Sequence, residues 1–179
     1  LTDTNLMHYF TSIIVLSVIL KSFKRGKMTR LIRLITLVAA LLVMPLSPQQ
    51  RETDKKTINC LAKGIYFESG NQTTKGKEAV AWVIFNRSKE WNMSVCEVVH
   101  QKLNGYCQFD WYCDSISDNP PSNRNWDASR ELATDMVEHS EKYHDFTNGA
   151  KFFHATYVKP KWMTKRKFTI KVGGHLFYQ

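Results

Sequence analysis

Long uninterrupted apolar runs are missing from this 179-residue chain. The two best, Tyr9–Leu20 and Leu34–Met44, fall short of the roughly eighteen uncharged apolar residues that a spanning helix needs. Acids are nearly missing from residues 1–50, which hold one against six Lys/Arg, while residues 51–179 hold nineteen Lys/Arg against fifteen acids. The body therefore carries only +4 of the total +9. That weakens a nucleic-acid reading, which wants a dense basic face with stacking aromatics, and suits a mild attraction to a polyanion. There is no Cys-x-x-Cys pair among Cys60, Cys96, Cys107 and Cys113, which argues against a structural zinc site. An even cysteine count leaves room for up to two disulfides, in any of three pairings. No internal repeat or low-complexity tract is present, so a solenoid or a disordered chain is not expected.

What is there begins with a leader. Arg30 and Arg33 precede the apolar run 34–44, and polar residues follow it, the pattern of an export signal starting at Met28. No small-x-small cleavage site stands near "MPLSPQQ", so the segment also suits a retained membrane anchor. The expected organisation is an upstream extension over 1–27, a signal or anchor over 28–47, a polar linker over 48–57 and one domain over 58–179. A pair of membrane-embedded segments is the competing reading of the N-terminal part. An exported body, in the periplasm or cell envelope, is where disulfides persist.

Within the body, Ile58, Leu61, Ala62, Ile65 and Tyr66 recur at helical spacing and carry Glu68 to the end of a first helix. Gly70 and Asn71 then offer left-handed geometry for the stop. Residues 74–90 predict a second helix with Trp82 and Phe85 in its core stripe, and Ser94 three positions before Glu97 predicts a capped third. Residues 105–125 read as a long ordered loop, and Trp126–Lys142 as a fourth helix. Two strands follow, in "AKFFHATYV" and "FTIKVGGHLFY". The fold class is α+β, mostly helical, with a small C-terminal β-hairpin.

The segments "CLAKGIYFESGNQ", "GKEAVAWVIFNR", "VCEVVHQ", "CQFDWYCD", "GAKFFHATYVKPKW" and "GGHLFY" together resemble the cell wall hydrolase family that includes the spore-cortex-lytic enzymes. The resemblance implies a lysozyme-like compact fold and cleavage of peptidoglycan between N-acetylmuramic acid and N-acetylglucosamine, as a lytic transglycosylase. It puts the catalytic glutamate at Glu68. The family commonly continues Glu-Ala-Arg-Gly-Glu, where this chain has Glu68-Ser69-Gly70-Asn71-Gln72, and Asp110 stands where the family has serine.

The chemistry requires a proton on the leaving oxygen while positive charge grows on the sugar. An ordinary glutamate is mostly ionised at neutral pH, so packing beside Tyr66, Phe67 and Trp111 must raise its pKa, toward about 6. The same carboxylate then takes the proton of the muramic acid 6-hydroxyl, closing a 1,6-anhydro ring. No metal or cofactor is called for. Asp110 near Glu68 would raise that pKa further, or act as the second carboxylate of a true hydrolase. Gln108, Asp110, Tyr112, His154 and Tyr157 are the candidate substrate contacts, while Trp162 and His175 are assigned to strand packing. The basic run Lys159, Lys161, Lys165, Arg166 and Lys167 is a solvated turn or a site for anionic envelope polymer. The expected partner is the glycan strand, bound by a monomer, with membrane association only through the N-terminal segment. A non-catalytic wall-binding module and a zinc amidase using His154 and His175 are the alternatives.

Overall fold

Pro48 opens the first helix, where its missing N–H leaves no bond unmade. This structure, a computed structural model, describes residues 47–179. The extension expected over 1–27 and, save Ser47, the leader expected over 28–47 lie outside the described residues. By its contacts the chain divides into 1–48 and 49–179, and the helices and strands of the body belong to the second unit.

Helix α1 (Pro48–Ser69) runs through the stretch expected as a linker. Its first turns are exposed and are held locally, by Gln50 Nε2 donating to Asp54 Oδ1 at 2.8 Å and Thr53 Oγ1 donating to the Gln49 carbonyl at 3.0 Å. Gln, Arg, Glu and Lys are polar yet good helix formers, so polarity there did not mean irregular backbone. Farther on, Leu61, Ala62 and Ile65 are fully buried. Gly70 and Asn71, expected in left-handed geometry, do not take it. Instead Gly70 N donates to the Tyr66 carbonyl at 2.9 Å and Gln72 N to the Ser69 carbonyl at 2.8 Å, closing the helix by a turn. A Cβ at residue 70 would come 2.5 Å from the Tyr66 oxygen, so glycine is needed for close approach, and the arginine common at this position in the family has no room in this backbone.

Helix α2 (Thr74–Trp91) is capped by Thr73, whose side chain accepts from Gly76 N, and ends on Asn92 at φ 51°. Ala79, Val80, Ala81, Val83 and Ile84 form its buried face, against which Trp82 and Phe85 pack from the edge rather than from within. Helix α3 (Val95–Val99) has the expected capping box, Ser94 and Glu97 bonding reciprocally. A disulfide from Cys60 on α1 to Cys96 on α3 ties these two helices.

The segment read as a loop contains more structure. Strands β1 (Lys102–Leu103) and β2 (Tyr106–Cys107) pair antiparallel across Asn104 and Gly105, both at positive φ, the conformation that two-residue hairpins favour. A single 3-10 turn, Asp110–Cys113, follows, and the Cys107–Cys113 disulfide closes it. Helix α4 (Arg124–Glu138) starts two residues earlier than expected because Asn123 Oδ1 accepts from Trp126 N at 2.9 Å. It also ends earlier, giving way to a 3-10 turn at Ser140–Lys142. There Asp135 gathers bonds from His139 Nδ1 and the Tyr143 hydroxyl.

The C-terminal region forms three strands, β3 (Phe152–Ala155), β4 (Phe168–Val172) and β5 (His175–Tyr178), ordered β3-β5-β4 and antiparallel throughout. The second expected strand is thus itself a hairpin, turning at Gly173 (φ 54°) and Gly174. Asp145 anchors the approach to β3: its carboxylate accepts from Thr147, Gly149 and Asn86 Nδ2, and Asn86 also donates to the Ala150 carbonyl at 3.1 Å. Burial opposes the Asp145 charge, but these bonds outweigh it and hold its pKa below the ordinary value.

Candidate active site

Where α1 ends, Tyr66, Phe67, Glu68, Gly70, Asn71 and Gln72 form one wall of a cleft of about 570 Å³. The β3 exit and the β5 start, Ala155, Thr156, Tyr157, Gly174 and His175, and Asn125 of α4 complete its lining. Gln72 fastens the first stretch to the second, its Oε1 accepting from Gly174 N at 3.0 Å. In the family pattern an acid stands at this position. Here a neutral amide oxygen accepts from the backbone as a carboxylate oxygen could.

Glu68 is partly buried in this cleft. Its pKa is pushed up from 4.5 to about 7, first by burial and then by the negative charge of Asp110, against the opposing pull of Arg87. The apolar surroundings come from Phe67, which lies on Trp111 with ring centroids 4.5 Å apart at 19°, and from Tyr66, edge-on to both Phe67 and Trp126. Asn123 Nδ2 donates to the Tyr66 hydroxyl at 3.1 Å, so the residue that caps α4 also orients this wall. The disulfide-closed turn carries both Asp110 and Trp111, which explains how a loop residue is held where its charge acts on Glu68.

The predicted residues are only partly brought together. Glu68 and Tyr157 line the cleft, and Asp110 reaches it through its field. Tyr112 instead lies against His100, with centroids 4.4 Å apart and the rings tilted at 35°, and Lys102 Nζ lies 5.5 Å from the centroid of its ring. Gln108 continues the small hairpin, its N–H donating to the Gln101 carbonyl at 2.9 Å, and it is not on the cleft wall. His154 is buried and occupied: Nδ1 donates to the Ala155 carbonyl at 2.9 Å and Nε2 accepts from the Tyr178 hydroxyl at 3.1 Å. Both ring nitrogens are therefore engaged within the fold. Among the described residues no group of three His, Cys, Asp or Glu gathers in a metal-binding arrangement.

Trp162 and His175 both pack in the strand region as expected, and one of them also lines the cleft. Trp162 packs edge-on against Tyr178 and His154, while His175 is the one on the cleft. Its ring is edge-on to Phe153 at 5.4 Å, and its Nδ1 is sealed from solvent without a partner. Burial, and then the neighbouring His154, lower its pKa.

Arg87 is the charged neighbour of Glu68 that sequence reasoning missed. It is buried on α2, donates from Nε to the Lys151 carbonyl at 2.7 Å, and sits 5.1–5.7 Å from the rings of Phe109, Trp91 and Phe152. Its Nη1 has no partner among the described residues. Burial lowers its pKa to about 10, with Glu68 pulling the other way. An arginine in a helix normally reads as exposed. The "NR" ending of the second motif was the one available signal.

The model of the cell wall hydrolase family matches residues 71–178, beginning three residues after Glu68. Among solved structures, the catalytic domain of the SleB protein of Bacillus cereus is similar at TM-score 0.52 and 22% identity, covering 70% of this chain and 91% of that one. The catalytic domain of the germination-specific lytic transglycosylase SleB from Bacillus anthracis is similar at 0.51 and 22%, covering 76% of this chain and 100% of that one. Among curated proteins no sequence match was found. At these identities the structural likeness speaks for the fold.

Proposed function

This chain belongs to the cell wall hydrolase family, and from that premise we propose that it cuts the glycan strand of peptidoglycan as a lytic transglycosylase with Glu68 as its single acid and base. The observation that carries this is a carboxyl group with a pKa of about 7 on the wall of an open cleft. At neutral pH a large share of such a group is protonated for the first step, and that step itself leaves the carboxylate that the second uses. The protonated form gives its proton to the glycosidic oxygen between muramic acid C1 and the departing N-acetylglucosamine. The carboxylate left behind takes the proton of the muramic acid 6-hydroxyl, whose oxygen closes on C1. Protons balance and no water is consumed. His175 and Tyr157 supply polar and aromatic surface in the same cleft. The two disulfides fit a protein working outside the cytoplasm.

The test is mass spectrometry of the fragments that the full chain releases from purified sacculi. Products ending in 1,6-anhydromuramic acid are expected, and reducing ends carrying an added water would overturn the transglycosylase. A two-carboxylate hydrolase is the second reading, favoured by the effect of Asp110 on Glu68. Asp110→Asn separates them. If Asp110 acts only through its charge, the variant keeps its maximal rate, and the alkaline limb of its pH profile moves to lower pH because Glu68 loses a repelling neighbour. A collapse of the maximal rate would make Asp110 a reacting group.

A further inference from the structure

The +4 of residues 51–179 is divided rather than shared. Residues 51–150 hold twelve Lys/Arg against fifteen Asp/Glu, a net of −3, while 151–179 hold seven Lys/Arg and no acid, a net of +7. Lys151 alone of those seven pairs with a carboxylate, that of Glu90 at 3.1 Å. Lys159, Lys161, Lys165, Arg166, Lys167 and Lys171 are exposed, and among the described residues none has a carboxylate within 4.0 Å. Surfaces ordinarily intersperse the two signs, because crowded like charges repel.

Five of the six lie in the connection from β3 to β4, which also shows apolar groups to solvent: Tyr157 is 89% and Val158 42% exposed, with Phe168 at 52% just beyond. Arg166 is laid on the sheet, 3.6 Å from the centroid of the Phe152 ring. The same connection starts inside the cleft, since Ala155, Thr156 and Tyr157 line it together with Glu68. Whatever meets these cations is therefore close to the sugar that the cleft holds. Five of the six are lysines, point charges on flexible stems, which suit acidic groups whose positions vary along a branched polymer.

We infer that the face built by residues 156–171 binds the carboxylate-bearing peptide branches of the glycan whose sugars occupy the cleft, so that peptide-substituted strands are taken in preference to bare ones. This rests on the proposed cleavage reaction. The test compares the full chain with the variant Lys159→Gln, Lys161→Gln, Lys165→Gln and Lys167→Gln on intact sacculi, on sacculi whose peptides an amidase has removed, and on sacculi stripped of phosphate polymer. On intact and on phosphate-stripped sacculi the variant should lose about tenfold in kcat/KM, mostly through KM, and 0.5 M salt should impose the same loss on the wild type. On peptide-free glycan the two proteins should be equal. Equal loss on peptide-free glycan, loss that vanishes once phosphate polymer is removed, or no loss at all would each overturn the inference. Sedimentation of the Glu68→Gln chain with intact sacculi, with and without the four lysine changes, reads the same contact without any cutting. About tenfold weaker retention is expected there. If neither protein cuts any glycan, the reaction fails, and sedimentation still decides the surface.

Discussion

Glu68→Gln should lower kcat by roughly 10²–10⁴-fold while leaving the fold intact, because the amide keeps the shape of the acid and can neither give nor take the proton. The same change should make the protein more stable at alkaline pH. The sign follows from the direction of the shift: the folded pKa, about 7, lies above the unfolded value near 4.5, so the folded form holds the proton more tightly. The Glu68 contribution to wild-type stability is fully present below the unfolded value and is lost as pH rises from about 4.5 through 7. The neutral glutamine does not titrate, so this part of the pH dependence should vanish from its unfolding midpoints. At pH 8 the variant should gain about 2 kcal/mol, less than the full linkage figure because Glu68 is in part open to the cleft. Denaturant titration of both proteins at pH 4, 6 and 8 measures this. Retained activity would place the acid elsewhere, and a flat difference across pH would mean that the cleft does not hold Glu68 in the protonated form.

That pairing of inactivity with stability is the mark of a site the fold maintains at a cost. The site is assembled from elements far apart in sequence: Glu68 lies in the last turn of α1, Asp110 on a disulfide-closed turn adds to the cost, Arg87 of α2 offsets part of it, and His175 starts β5. Only some of this was legible beforehand. The Ser94–Glu97 box and the apolar stripe of α2 are local patterns, and local patterns survive into the structure as they were read. The aromatic run before Glu68 was legible too, since a carboxyl group among rings has few uses other than a shifted pKa. Asn104-Gly105 was an overlooked local signal for the small hairpin, and Gly173-Gly174 another for the division of the last strand.

Other features had no local signal to read. Which histidine faces the cleft depends on the pairing of Ala155 with His175 and of His154 with Leu176, and strand alternation alone leaves both faces open. Tyr112 was predicted as a substrate contact from its motif neighbours, yet the turn at Asp110–Cys113 sends Trp111 inward and leaves Tyr112 against His100. The start of α1 misled for the opposite reason: its residues are polar because nothing covers them, and helical all the same.

Arg87→Met should move the alkaline limb of activity to higher pH, the opposite of what Asp110→Asn does. The Arg87 cation favours the charged form of Glu68, so removing it lets burial and Asp110 act unopposed and lifts the pKa beyond about 7. KM should hardly move, since Arg87 is not on the cleft wall. Stability should separate the charge from the packing. Methionine keeps most of the contact with Phe109, Trp91 and Phe152 and removes a desolvated cation whose Nη1 lacks a partner, so the loss should be about 1 kcal/mol, near that of the bond to the Lys151 carbonyl. Arg87→Ala also empties that space and should cost about 3–4 kcal/mol. Arg87→Lys retains a cation without the planar fork, and should restore the pH profile while recovering stability incompletely. A purely structural Arg87 would give the same order of stabilities with an unmoved pH limb. A limb that moves to lower pH in Arg87→Met would mean that some other charge sets the proton affinity of Glu68.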